Sequence, residues 1–435
     1  MYRLRVHFIG IGGIGLSALA RFLKYRGHNV SGSDIKSTPI TKGLEKEGIK
    51  VTIPQSSSAI DGQDLIIYSA AVTSTNTERI EATKQNLNIV PRKEALPIVL
   101  KDTKNYCVCA AHGKSTTSAM LSSILQSSSL IGAISKEFNS NFRYINDILV
   151  FEADESDESF ILSNPYCSIV LNTEPEHMEY YNYDLNRFYN AYKKFLDIAK
   201  LRVINAEDEF LKYYKGDAIR LYPSKDIKNC EFFLKDGEPY TKFTLKDFGE
   251  FEVWGFGEHI ALDASCAILA AKESLDLKTI RKNLALYKGI KKRFDIVLKT
   301  DNLIVIDDYA HHPTEIKATL KSVELYKKLT SQNKIIVIWQ PHKYSRTYDN
   351  LEAFKGCFKG CDELIILPVW SVAEKIIDID FVSEFSSYNP VFADRVVNTQ
   401  NSLELIKDEK VIATIKEGIV VGVGAGDITY QLRSS

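Results

Sequence analysis

Apolar positions fall along this chain in three successive series, in each of which short buried-strand patterns alternate with helical ones. In the first, "RVHFIGI" reads as a strand and "GLSALARFLKYRG" carries apolar residues at helical spacing. "NVSGSD", "DLIIYSAAV" and "NIVPR" follow as further strands. A second series opens with "NYCVC" at 105–109 and runs through "DILVFEAD", "CSIVLNTE" and "LRVINAED". Between residues 215 and 256 the period shortens to aromatic-rich alternation, "EFFLKDGEPYTKFTLKDFGEFEVWGF", which predicts a small antiparallel meander attached to the second domain. After "LYKGIKKRFD" the third series begins with strand "NLIVIDDYAHHP" and a helix from Pro313. Strand "KIIVIWQPHK", a helix through "NLEAFKGCFKG", and strands "DELIILPVW" and "GIVVGVGAGD" follow. Pro313 suits a first helical turn, where its missing N–H would be unpaired in any case. The pattern predicts an α/β chain of three domains, residues 1–95, 96–290 and 291–435.

Length agrees, since 435 residues at roughly 150 per domain make about three. With 45% hydrophobic and 26% charged residues the composition is that of a globular protein. No apolar run approaches the roughly 18 to 20 residues of a membrane span. The apolar N-terminus is glycine-rich and lacks a small-residue cleavage site, so it reads as a first buried strand. A cytoplasmic protein with no membrane partner is expected. A formal net charge of −1 gives no field for nucleic acid, and the basic stretch at 278–294 reads as a solvated helix face plus linker. The seven cysteines include Cys107 and Cys109 in a strand and Cys357 and Cys361 on a helix. None has zinc-ribbon spacing, so reduced, mostly buried thiols are expected.

Candidate chemistry sits where predicted strands end. "GIGGIG" satisfies GxGxxG with Gly10, Gly12 and Gly15, and Asp34 closes the next strand; this suits a diphosphate at a helix N-terminus and an acid near a ribose. Taken alone it favours a dinucleotide cofactor as much as any other ligand. "YCVCAAHGKSTT" has strand, turn, Gly-Lys-Ser and helix in the order of a phosphate loop. There Lys114 would neutralise β/γ-phosphate charge, and Ser115 or Thr116 would hold Mg²⁺. "FEADESDESF" places Glu152, Asp154, Glu155 and Asp157 past a buried strand; one or two carboxylates suffice for Mg²⁺, and the others read as solvated or as helix caps. His177 follows the next strand among Glu174, Glu176 and Glu179. In the third series Asp307, Asp308, His311 and His312 share one strand-to-helix turn, and His342, Lys343 and Arg346 follow the next strand.

In this order the motifs resemble the Mur ligases over nearly the whole chain. "HFIGIGGIGLSALA", "SGSD", "YSAAV", "AHGKSTT", "FEADESDESF", "NTEPEHM", "GEHIALDASCAILAA", "KKRFD", "DDYAHHPTE", "QPHKYSRT" and "GAGDI" carry the likeness. The nearest branch is the one that attaches L-alanine to UDP-N-acetylmuramate. The resemblance implies an N-terminal Rossmann-like domain for the UDP-sugar, a central ATPase domain, and a C-terminal Rossmann-like domain for the amino acid, in a monomer or homodimer. It turns the glycine fingerprint toward UDP rather than NAD, with Gly12, Gly13, Gly15, Asp34 and Ser69 on that substrate. It implies that ATP meets Ala110, His112, Gly113, Lys114, Ser115, Thr116, Asn172, His259, Asp263, Arg293 and Asp308. Ser115 and Glu152 would hold one Mg²⁺ and His177 a second. His312, Lys343, Tyr344 and Arg346 would bind substrate, and Lys114, Arg293, His342 and Arg346 would act in catalysis.

The sequence also departs from that family. Ala110 stands for the usual first loop glycine, Ala310 for the glycine before the paired histidines, and Lys343 for an arginine, which gives up bidentate geometry. Glu176 replaces an aspartate and Asp263 an asparagine. Alanine at 110 is tolerated only if the backbone there has negative φ. The alternatives are a sister ligase that adds a preformed peptide, an NAD-dependent oxidoreductase built on "GIGGIG", and a nucleotide-binding protein without catalysis.

Overall fold

The structure, a computed structural model, describes residues 3–371 and 374–433. The chain divides into two compact units that are not contiguous in sequence. The first comprises Met1–Lys228, Thr244–Phe251 and Leu262–Lys288; the second comprises Asn229–Phe243, Glu252–Ala261 and Gly289–Ser435.

The first unit holds two parallel sheets. Strands β1 (Arg5–Ile9), β2 (Asn29–Ser33), β3 (Lys50–Thr52), β4 (Leu65–Tyr68) and β5 (Ile89–Pro91) assemble in the order β3-β2-β1-β4-β5. All pairs are parallel. Helix α1 (Ile14–Tyr25) leaves the glycine turn after β1, which lies where the strand order reverses. The second sheet contains β6 (Lys104–Cys109), β7 (Ser128–Ser135), β8 (Ser140–Arg143), β9 (Ile148–Glu152), β10 (Pro165–Val170), β11 (Leu201–Asn205) and β12 (Ile219–Leu221). Its order is β12-β11-β10-β6-β9-β7-β8, with only the β7–β8 pair antiparallel. β6 is central and covered on both faces, which is why it reads as a continuous apolar run. Burial pushes the Cys107 thiol up to about 12. The two sheets share one core, in which Phe8, Leu19 and Phe22 join Leu130, Phe142, Phe151 and Phe160. Asn141 at the β8 hairpin donates to the Ile14 carbonyl at 2.7 Å, fixing the start of α1.

A three-stranded sheet follows in meander order, β13 (Ile227–Lys235), β14 (Glu238–Leu245) and β15 (Glu250–Trp254). Its residues are divided between the two units.

The second unit is built on a sheet of order β16-β17-β24-β18-β19-β20. The strands are β16 (Asp295–Lys299), β17 (Leu303–Asp308), β18 (Ile335–Trp339), β19 (Glu363–Ile366), β20 (Val391–Phe392) and β24 (Gly418–Val423). Only the β16–β17 pair is antiparallel. An antiparallel sheet of β21 (Arg395–Asn398), β22 (Leu403–Lys407) and β23 (Lys410–Ile415) was not foreseen from the sequence. β23 exposes every residue but Ile415, so it lacks the alternation that marks a half-buried strand. The expected helix through Cys357 and Cys361 also ends early. It spans Leu351–Lys355, Gly356 caps it, and both cysteines lie in the turns beyond. All seven cysteines are free thiols.

Candidate active site

In the first unit the site forms at the carboxyl ends of β6, β9 and β10, where the order of the large sheet reverses around β6. Helix α2 (Lys114–Leu125) starts there, with Gly113 as its N-cap at φ 85° and ψ −8°. A Cβ at Gly113 would stand 2.6 Å from Asp263 Oδ1 and 3.0 Å from Leu171 Cδ1, so this glycine is required twice over, by φ and by space. Ala110 is fully buried and is not among the residues of positive φ. The missing first glycine is therefore sterically harmless.

Lys114 Nζ lies back over the turn. It donates to the carbonyls of Ala110 and, at 3.1 Å, Ala111, and to Glu155 Oε1 at 3.0 Å. Burial opposes its charge, but Glu155 and the neighbouring acids outweigh that and raise its pKa. Ser115 Oγ donates to Glu152 Oε1 at 2.9 Å, while the Gly132 amide donates to Glu152 Oε2 at 2.6 Å. Desolvation raises the Glu152 pKa against those hydrogen bonds. Thr116 is half-buried in the first turn of α2. The His112 amide and carbonyl pair with the Asn172 side-chain amide at 3.0 and 2.9 Å, and His112 Nε2 meets Glu174 at 2.9 Å. That reciprocal pair locks the turn to the end of β10.

His177 adopts φ 53°. Its ring, Glu155 and Glu176 offer ligand atoms within 4.8 Å of one another, a donor set able to hold a divalent cation. Sequence reading placed His177 at a metal but left Glu155 and Glu176 out. Of the acids expected to be solvated or capping, Asp154 and Asp157 accept the Ser156 and Ser159 amides, each at 3.0 Å, as caps do. Glu155 is the exception, with 1% of its side chain exposed.

At the other sheet of this unit Asp34 is tied into the glycine turn. Its carboxylate accepts the Gly12 amide at 2.8 Å and the Ile35 amide at 2.8 Å. A Cβ on Gly12 would stand 2.7 Å from Asp34, and one on Gly15 3.2 Å from Arg92. Gly13 is the extended N-cap of α1. Ser69, at the end of β4, donates its amide to Ile9 at 3.1 Å and so flanks the same turn.

In the second unit the strand ends of β17 and β18 gather the polar residues. Asp308 accepts the Phe294 and Ala310 amides, both at 2.9 Å. The first of these fixes the backbone just after Arg293, which stands between Lys292 at φ 64° and Phe294 at φ 45°. Burial pushes the Asp308 carboxyl up to about 6. Arg293 reaches Glu315 at 3.2 Å and lies over the Tyr309 ring. Glu315, in the first turn of helix α3 (Pro313–Lys328), also accepts the His311 amide at 2.9 Å and closes a capping box with His312. Ala310 is buried without positive φ, like Ala110.

After β18, Lys343 takes φ 68° and caps the short helix α4 (Tyr344–Asp349). Its amide donates to the Trp370 carbonyl at 2.9 Å. Glu374 accepts the Tyr344 amide at 2.7 Å and the Ser345 amide at 3.1 Å. Arg346 Nη1 lies 2.9 Å from His342 Nδ1; since guanidinium can only donate, that ring nitrogen is an unprotonated acceptor. Burial, then Arg346 and Lys343, push the His342 pKa down to about 4. The His311 and His342 rings meet edge to face, 5.9 Å apart. His259 is exposed, two residues after Gly257 at φ 123°.

A lysine-bearing turn at a switch point with an acid on the adjacent strand has the geometry of a phosphate loop, and two family models match the chain. The "Mur ligase family, catalytic domain" model covers residues 5–104 and the "Mur ligase, glutamate ligase domain" model covers residues 292–421. The chain belongs to the Mur ligase family. Among curated Mur ligases, the UDP-N-acetylmuramate--L-alanine ligase of Campylobacter curvus is 56% identical over 430 residues, 99% of each chain. The enzyme of the same name from Helicobacter pylori is 57% identical over 433 residues, covering 99% of this chain and 96% of its own. A solved UDP-N-acetylmuramate-alanine ligase from Thermotoga maritima superposes with a TM-score of 0.80 at 27% identity, covering 99% of this chain and 97% of its own. Among the described residues no helix is long and apolar enough to cross a membrane.

Proposed function

We infer that this Mur ligase joins L-alanine to the lactyl carboxylate of UDP-N-acetylmuramate at the expense of ATP, in peptidoglycan synthesis. The observation that carries the reading is the meeting of Lys114, Ser115 and Glu152 at the end of β6, where Ser115 Oγ and Glu152 Oε1 lie 2.9 Å apart. The activity for which relatives more than half identical over nearly the full chain are named supports it.

In this reading residues 1–95 hold the UDP-sugar, with the amides of the Gly12–Gly15 turn at its diphosphate. Residues 96–290 hold ATP through Ala110–Thr116, Asn172 and Asp263, and residues 291–435 receive the amino acid. His259, Arg293 and Asp308 serve the nucleotide. Hydroxyl and carboxylate oxygens suit Mg²⁺, so Ser115 and Glu152 fit one ion, and the donor set of His177, Glu155 and Glu176 fits a second. Such ions, when bound, supply positive charge that screens the phosphates.

The lactyl carboxylate oxygen attacks the γ-phosphorus, the bond to the departing ADP oxygen breaks, and an acyl phosphate forms. The amine of alanine then attacks the acyl carbon, inorganic phosphate leaves with the former carboxylate oxygen, and the amine gives up a proton. Lys114 and Arg293 stabilise charge on the transferring phosphoryl group. His342, Lys343 and Arg346, with Tyr344 and His312 nearby, orient the carboxylates. ATP and the UDP-sugar place the reaction in the cytoplasm.

The test is phosphate release with ATP, Mg²⁺ and UDP-N-acetylmuramate, offering alanine, serine, glycine and a stem peptide in turn. Turnover greatest with alanine is expected. ATP binding without phosphate release for any amine would overturn the assignment, and preference for the peptide would move it to the sister ligase.

A further inference from the structure

Lysine has three N–H donors, and in this structure all three of Lys114's are taken, by Ala110 O, Ala111 O and Glu155 Oε1. The carbonyls belong to the turn itself and are geometric neighbours of any phosphate-loop lysine. Glu155 is different: it comes from the segment after β9 and is brought in from outside the loop. It is held there from two sides, for the Tyr181 hydroxyl donates to its backbone carbonyl and Lys114 holds its side chain. Tyr181 is itself fully buried and packs edge to face on Phe188, 5.0 Å between ring centres, so the anchor is rigid. Glu155 Oε2 is buried with no hydrogen-bond partner among the described residues. A carboxylate with one oxygen on a lysine and the other unsatisfied is an incomplete arrangement, which a buried ion pair tolerates poorly.

We propose that Glu155 is a positioning residue for Lys114, its carboxylate occupying in the nucleotide-free protein the place that a phosphate oxygen takes, so that incoming ATP must win the lysine from it. This rests on the reading of the Ala110–Thr116 turn as the phosphate site. The ion pair keeps the lysine at the mouth of the loop and screens it from other anions, and it sets a competing term in nucleotide affinity. Removing the negative charge while keeping the shape removes the competitor. A purely structural residue behaves in the opposite way, since its replacement loosens the loop and weakens binding.

The experiment measures the dissociation constant of a fluorescent ATP analogue on the full chain without added divalent cation, with thermal melting as the check on folding. Glu155→Gln is expected to tighten binding about tenfold, the equivalent of ~1.4 kcal/mol. Tyr181→Phe, which frees the Glu155 backbone but leaves its charge, is expected to tighten binding by a smaller factor, and it carries the test if the glutamine variant does not fold. Unchanged or weaker binding in the folded variants overturns the proposal. Lys114→Ala run alongside separates the two ideas. If it binds as well as the native chain the phosphate-site reading fails; if it loses binding while Glu155→Gln changes nothing, only the role of Glu155 fails.

Discussion

Gly113 and Ala110 show how one turn can treat two small residues oppositely. Gly113 needs its φ of 85° and has no room for a Cβ beside Asp263. Gly113→Ala is therefore expected to lose at least the roughly 1–2 kcal/mol of a left-handed alanine, together with nucleotide binding, read by melting and by ATP titration. Ala110 lacks positive φ, so Ala110→Gly should leave kcat unchanged and lower stability by roughly 0.4–1 kcal/mol through the looser unfolded chain. A large gain in kcat would show instead that the alanine had impaired the loop. Lys114→Ala should reduce kcat by about 10²–10³-fold, as the loss of one preorganised charge-stabilising donor does. Lys114, Ser115 and Glu152 were legible in the sequence because strand, turn and helix follow one another there. Glu155 was not, since four acids in six residues look alike until one is buried. Glu315 and Glu374 were missed for a related reason: each acts through backbone amides, and Glu374 is 30 residues from the amide it caps.

Elements were most readable where both faces are buried. β6, β17, β18 and β24 are continuous apolar runs in parallel sheets, and the polar clusters at their carboxyl ends mark the candidate site. β23 escaped notice because its side chains face solvent, and the helix after β18 broke into short pieces at Asn350 and Gly356. The piece that matters is α4, whose first residues are arranged by Lys343 at positive φ, by Glu374 on two amides, and by His342 accepting from Arg346. That last contact requires a neutral ring. With a native pKa near 4 and an unfolded value near 6.5, the unfolded chain binds the extra proton between those limits, so stability contributed by His342 falls as pH drops from about 6.5 toward 4. Asp308 runs the other way: its carboxyl, raised to about 6, binds its proton in the native state first and offsets part of the loss. Comparison with His342→Gln isolates the histidine. The native chain should lose denaturant resistance relative to that variant between pH 6.5 and 4.5, and a constant difference across that range would contradict the neutral ring.

At the scale of the whole molecule, three successive α/β series were visible in the chain, yet they do not map one to one onto compact bodies. The first two share a core through α1, β7 and β8, because Asn141 and the apolar faces on both sides close over one another. The segment Glu252–Ala261 precedes the third series in sequence but belongs to its unit. No periodicity announces this, since it depends on one aromatic residue. Phe256 is 2% exposed and sits among Phe232, Phe294 and Tyr326, with ring centres 6.3, 6.2 and 5.8 Å away. The Ser322 hydroxyl of α3 donates to its carbonyl at 2.9 Å, pinning the segment to the helix that carries Glu315. A fragment starting at Gly289 would contain every strand of the second unit's main sheet but lack this plug. It is expected to bind a hydrophobic dye and to melt without a sharp transition. In the full chain, Phe256→Ala should cost roughly 3–5 kcal/mol, the usual range for emptying a buried phenylalanine site. A fragment that melts as cooperatively as the intact protein, or a Phe256→Ala chain of native stability, would show that the segment is an appendage and that the second unit is complete from residue 289 onward.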